Sequence, residues 1–230
     1  MRFEDMNWMD VEAYLRKDDR VILILGAIEQ HGYLSLATDV RIPQAMADAA
    51  SQQSGVLVAP PVSFGISPYF NAYPGTISIS THTFLQVVAD VIRSLYHQGF
   101  RRFMVLNGHG GNVPAQSLLS ELADELPGMV SSWYAWWMSR GVKRVAAEHE
   151  LKPGHASWME AFSFTKVCEL PAGEKEAVEP GLIRDSKSMR AKLGDGVFGG
   201  AYEADDAVMD KIFQFCVQDI LHDLQLLQEG

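Results

Sequence analysis

The chain has 230 residues, of which 47% are hydrophobic and 21% charged, a balance that suits a packed core and excludes wholesale disorder. A formal net charge of −10 excludes a phosphate-binding surface, which needs clustered Lys and Arg, and equally disfavours docking on an anionic membrane. No apolar run approaches the roughly 18 residues that span a bilayer, and the acidic, amphipathic opening segment lacks a basic-then-apolar signal pattern. A cytoplasmic protein with neither nucleic-acid nor membrane partners is expected. Cys168 and Cys216, far apart and outside any C-x-x-C motif, read as two buried thiols in a reducing compartment.

Taken in chain order, the pattern predicts a short helix over 10–17 and a buried strand over 21–25. A glycine-punctuated loop follows, with Pro43 in the first turn of a helix reaching Gln53. A second strand over 56–59 opens into a long loop carrying Phe64, Tyr69, Phe70 and Tyr73. Thr81 is the expected N-cap of a helix ending at Gln98, with Gly99 closing it. A third strand over 102–106 delivers the loop Asn107-Gly108-His109-Gly110-Gly111-Asn112. A helix over 112–126 breaks at Pro127-Gly128, and 129–137 reads as a fourth strand. Further on, 155–164 looks helical, 169–200 is polar and glycine-punctuated, and 205–227 is a long amphipathic helix. This alternation predicts one domain over 1–230, an α/β fold with a mainly parallel sheet and helices on both faces.

Ligands in open α/β sheets bind beyond the carboxyl ends of the strands. Glu29, His31 and Asp39 follow the first predicted strand, and His109 follows the third. Alone, Glu-x-His is more often solvated surface, and GHGG fits a tight turn or an anion nest. Together, at two strand ends, carboxylates and imidazoles form a ligand set that suits Zn, Mn, Fe or Ni. One Glu, two His and a bridging Asp can hold two ions. His155, behind Pro153-Gly154 and ahead of Glu160, reads equally well as a proton shuttle or a capped surface histidine. The aromatic run Trp133, Tyr134, Trp136 and Trp137 fits a pocket wall, though more readily a core or subunit interface. His82, His97, His149 and His222 carry no such pattern.

GAIEQHG with Thr38-Asp39, the segment YPGTISIS (73–80), NGHGGN, His155-Ala156 with Glu160, and GDGVFGG (194–200) resemble, in that order, the creatininase (creatinine amidohydrolase) family. The resemblance implies a three-layer α/β/α fold, a homohexamer, and two divalent transition-metal ions per chain, zinc foremost, with manganese or iron as alternatives. It assigns Glu29, His31, Asp39 and His109 as metal ligands, with Asp39 the bridge. Glu160 completes the site as ligand and catalytic carboxylate, and His155 transfers protons. Phe70, Tyr73, Trp133 and Trp136 are the expected pocket residues.

The chain also departs from the family pattern. The loop between His31 and Asp39 is one residue shorter than usual. Phe70 replaces a common histidine, and Ala161-Phe162 replaces a common Thr-Ser pair. Gly111 stands where creatininase itself has a glutamate, which argues against creatinine. The function implied is a metal-dependent amidohydrolase. A metal-bound hydroxide would open a C–N bond, other than a peptide bond, in a cyclic amide, formamide or related small molecule. The alternatives are a ring-opening hydrolase or isomerase of a cyclic polyol ketone, and a non-catalytic scaffold.

Overall fold

A computed structural model of the chain describes residues 1–179, 181–182 and 185–229. Helix α1 (Trp8–Leu15) is opened by an Asn7 capping box with Asp10 and leads into strand β1 (Arg20–Leu25). Helix α2 (Thr38–Ser54) and strand β2 (Leu57–Val58) follow, then α3 (Thr81–Gln98), β3 (Arg102–Asn107), α4 (Pro114–Glu125), β4 (Val130–Ala135) and α5 (Arg140–Glu148). A two-stranded antiparallel ribbon, β5 (Glu174–Lys175) with β6 (Gly200–Ala201), encloses α6 (Ser186–Leu193), and α7 (Asp206–Glu229) ends the chain.

The four main strands pair entirely in parallel, in the order β2-β1-β3-β4. All six residues of β1 are buried, because the strand is covered on both faces and reads as a continuous apolar run. Val21, Leu23 and Leu25 pack with Phe84, Val88 and Ile92 of α3 and with Leu119 and Leu122 of α4. Ile22 and Ile24 point the opposite way, into Met46 of α2, Val145 of α5 and Ile212 and Ile220 of α7. The period-two alternation of strand side chains thus produces the predicted α/β/α sandwich. From β1 the chain crosses to β2 on one side, then returns to β3 on the other. The strand order therefore reverses between β1 and β3, the position at which such sheets open a crevice.

Several expectations shift. Helix α2 begins at Thr38, so Asp39 lies in its first turn and Pro43 lies inside the helix. Ser80, not Thr81, caps α3, its hydroxyl accepting from the Thr83 amide. Residues 110–112 form a separate 3-10 turn before α4, which Pro114 opens at a position where its missing N–H costs nothing. The fourth strand stops at Ala135, and Trp136–Met138 forms a 3-10 turn.

The helix expected over 155–164 is absent; only a 3-10 turn, Trp158–Glu160, forms there. Ala156 has a left-handed φ of 59°, and the Thr165 hydroxyl satisfies the Glu160 and Phe162 carbonyls, so local side-chain bonds replace the helical ladder. Helices α5 and α6 lie where no helix was expected. Cys216 is buried, but Cys168 is exposed, its thiol donating to the Tyr33 carbonyl. No helix among the described residues is long and apolar enough to cross a membrane.

Candidate metal centre

The loop leaving β1 carries Glu29 and His31, the first turn of α2 carries Asp39, and the loop leaving β3 carries His109. Glycine lets these segments meet. A Cβ on Gly108 would sit 2.0 Å from the Asp39 carbonyl oxygen, and one on Gly111 would sit 1.9 Å from the Ile66 carbonyl oxygen. Only a bare backbone fits at either place. The two asparagines of NGHGGN then act as staples. Asn107 accepts from the His109 amide at 3.2 Å and donates to the His109 carbonyl at 2.9 Å. Asn112 donates to the Gly26 carbonyl and accepts from the Ile66 amide, tying the loop after β2 to the end of β1.

Each histidine is oriented by the ring nitrogen that faces away from the centre. His31 Nδ1–H donates to the Glu29 carbonyl at 3.1 Å, which turns Nε2 inward. His109 Nε2–H donates to the Ile66 carbonyl at 2.9 Å, with Ser67 Oγ at 3.3 Å, which turns Nδ1 inward. Such outer hydrogen bonds are how proteins aim a metal-ligating imidazole. Between the two rings lies Asp39, with Oδ1 3.0 Å from His31 Nε2 and Oδ2 2.9 Å from His109 Nδ1. Glu29 Oε1 is 3.6 Å from His109 Nδ1, and Glu160 Oε2 is 3.8 Å from His31 Nε2. Ligand atoms from Glu29, Asp39 and His109 form one cluster, and those from His31, Asp39 and Glu160 form a second, each within 4.8 Å. Asp39 belongs to both.

Three of these buried atoms, Glu29 Oε2, His31 Nε2 and Asp39 Oδ2, have no hydrogen-bond partner. The short nitrogen–oxygen approaches are therefore not aligned as hydrogen bonds. Buried polar atoms left in this way are costly unless something satisfies them, and a transition-metal cation suits this donor set.

Burial pushes the Glu29 carboxyl up to about 6 and the Glu160 carboxyl up to about 7. For His31 and His109, burial opposes the charged form, but the facing carboxylates, Asp39 foremost, outweigh it and raise them to about 10 and about 9. Asp39 moves the other way: burial would raise it, but the two imidazoles hold it below the usual carboxylate range. In the metal-free chain, protons on His31 and His109 balance the buried carboxylates.

His155 lies beside this centre, its Nδ1 3.6 Å from Glu29 Oε1. Its ring stacks on Phe70, with centroids 4.7 Å apart and planes at 12°, and meets Phe198 edge-on. Burial first, then His31, lowers its pKa well below the ordinary histidine value. Its Nε2 faces both the Gln30 carbonyl at 3.1 Å and the Gln30 side-chain nitrogen at 2.9 Å. Ala156, held at its left-handed φ, donates its amide to Glu160 Oε2 at 2.6 Å.

The centre opens into a cavity of about 640 Å³. Glu29, Asp39, His109, His155, Glu160 and Phe70 line it, whereas His31 sits behind its wall. Tyr73 does not reach it and packs against Phe70 from behind. Trp136 is buried in the core, and Trp133 lines a separate surface cleft near Asp219. Of the aromatic run, Trp137 rather than Trp133 or Trp136 lies at the cavity, because the strand stops at Ala135 and the 3-10 turn carries Trp137 and Met138 there. Gln30, Ser67, Asn107 and Asn112 carry structural tasks at the centre that spacing along the chain does not reveal. The flanking asparagines of NGHGGN were the available signal.

The creatininase family model, described as creatinine amidohydrolase, matches residues 4–224. Over 115 residues the chain is 34% identical to a creatinine amidohydrolase of Pseudomonas putida, a stretch covering 47% of this chain and 44% of that protein. It is 30% identical over 110 residues to a 3-dehydro-scyllo-inosose hydrolase of Thermotoga maritima, covering 47% and 35% respectively. A mycofactocin precursor peptide peptidase of Mycolicibacterium smegmatis shares 39% over 102 residues, or 41% of each chain. The chain thus matches less than half the length of these relatives. Among solved structures, a manganese creatininase matches with a TM-score of 0.83 over 97% of both chains at 23% identity. A mutant creatininase of Zn–Zn type matches at 0.82 and 25% identity, over 97% of this chain and 96% of that one. With the family model spanning almost the whole sequence and the fold matching from end to end, this chain belongs to the creatininase family.

Proposed function

We propose that the protein is a metal-dependent hydrolase that opens a C–N bond in a cyclic amide, a formamide or a related small molecule, and that its substrate is not creatinine. One observation carries this reading: Asp39 turns one oxygen to His31 and the other to His109, at the shared corner of two ligand clusters whose buried atoms lack partners. Glu29, Asp39 and His109 would hold one divalent ion, and His31, Asp39 and Glu160 a second. Ions bound there would supply Lewis-acid polarisation of a carbonyl and acidification of water.

The rest of the work falls to the chain. His155, neutral at pH 7, takes a proton at Nδ1 from the attacking water and passes it to the departing nitrogen. Gln30 supports this exchange, because its backbone carbonyl accepts from Nε2–H in both the neutral and the protonated ring. Phe70 and Phe198 hold the ring and exclude water from it. Gly111 cannot be replaced by the glutamate of creatininase, since its Cβ would strike the Ile66 carbonyl; Glu160 takes up the ligand position from another loop. The mainly apolar wall favours an amide over a cyclic polyol ketone.

The test is elemental analysis of protein purified without chelator, followed by a screen of lactams, formamides and cyclic ketones with product masses recorded. Close to two equivalents of a transition metal, with products whose summed mass exceeds the substrate's by one water, is expected. No metal after reconstitution with Zn, Mn or Fe would overturn the reading and leave a scaffold role. Turnover at unchanged mass would make the protein an isomerase.

A further inference from the structure

The cavity has two unlike ends. Its floor is the cluster of carboxylates and imidazoles, and its wall is built from Phe70, Trp137, Met138 and Phe198. At the rim stands Lys143, on the first turn of α5, beside the buried Val142. It is the one Lys or Arg among the described residues that line the cavity. Its ammonium group has no hydrogen bond or ion pair among the described residues, whereas its neighbours Arg144 and Lys211 both pair with Glu148. The backbone fixes its position, since the Lys143 amide donates to the carbonyl of the N-cap residue Ser139. An unpaired cation at the mouth of an apolar slot, in a chain of net charge −10, is a local reversal of sign. Two divalent ions on the floor would reinforce it, because four positive charges outweigh the three carboxylates of Glu29, Asp39 and Glu160.

We infer that the substrate is an anionic amide: a scissile C–N bond at the floor, a flat apolar arm along the aromatic wall, and a carboxylate that pairs with Lys143 at the rim. This rests on the hydrolase reading and names the class of molecule that site selects. A carboxylate at the rim gains a charge-assisted hydrogen bond that a neutral group cannot make. A small neutral ring such as creatinine would leave both the wall and Lys143 without a partner.

The experiment uses metal-reconstituted protein and two aryl hydroxamates that differ only at the para position, one bearing a carboxylate and the other a carboxamide. The hydroxamate head seeks the metal floor, so both probes report on the centre and only their tails report on Lys143. Dissociation constants are measured at low salt for the native protein, for Lys143→Gln and for Lys143→Arg. The carboxylate should bind roughly three- to tenfold more tightly than the carboxamide. That preference should vanish in Lys143→Gln, persist in Lys143→Arg and weaken as salt is added. Equal binding of the two probes, or a preference that survives Lys143→Gln, overturns the inference while leaving the metal centre standing. Failure of both probes to bind metal-loaded protein overturns the centre, and the inference with it.

Discussion

At the scale of the residue, the centre is a set of buried charges that balance one another only in this arrangement. Asp39 faces both clusters, so Asp39→Asn should lower metal content at both positions, whereas His109→Ala should deplete one; elemental analysis of the two variants separates these outcomes. On the proposed reading His155 moves protons, so His155→Ala should cut turnover by about 10²–10⁴-fold with metal content unchanged. Loss of metal in that variant would instead make His155 a ligand alongside Glu29 and His31, with which it also clusters. On the proposed reading metal and proton compete for the inward nitrogens of His31 and His109, which are pushed up to about 10 and about 9. Metal affinity should therefore fall as pH falls, with protons released on binding, a quantity read by calorimetry in buffers of different ionisation heat. For the metal-free fold the sign is opposite. Both histidines titrate above the ordinary value of 6.5, so their stabilisation is complete below that pH. It is lost as pH rises towards 10, and denaturant melts at pH 7 and 10 would show this.

Among the elements, the loop after β3 depends most on its exact residues. Gly108 and Gly111 permit contacts that no side chain can share, and Asn107 brackets His109 at both its amide and its carbonyl. Gly108→Ala should cost about 1–3 kcal/mol through overpacking against α2. It should also displace Asp39, so a fall in Tm together with a fall in metal content is expected. A stable variant with full metal would show that the approach of α2 is not what seats Asp39. The motif NGHGGN was plain in the sequence, but the partners of its glycines, Asp39 and Ile66, lie 69 and 45 residues away. The segment around Glu160 departs from its helical pattern for a related reason. Its composition suits a helix, yet a left-handed Ala156 and the Thr165 hydroxyl hold it as a tight turn that points the carboxylate inward.

For the molecule as a whole, chemistry and anchoring occupy opposite ends of the sheet. At the amino ends of β1 and β3, Arg20 donates to the Leu224 carbonyl at 2.9 Å and Arg102 to the Leu227 carbonyl at 3.1 Å. Two guanidinium groups thus grip the C-terminal part of α7, where the helix dipole favours a cation. Arg20 is also paired with Asp18, so Arg20→Ala should cost about 3 kcal/mol. It should leave the metal content of the folded protein unchanged, because the centre lies beyond the other strand ends; denaturant titration with metal analysis tests both halves. The sequence alone determined the strands, their parallel pairing through helices, and the ligand types waiting at two strand ends. These follow from local periodicity and from residue chemistry carried in short motifs. Only the tertiary structure decided that a tight turn at Ala156 and Thr165 brings Glu160 beside His31, that Trp137 rather than Trp133 or Trp136 reaches the cavity, and that Lys143 lines it without a partner among the described residues. Each depends on where separate segments meet in space, and that is set by packing across the sheet rather than by spacing along the chain.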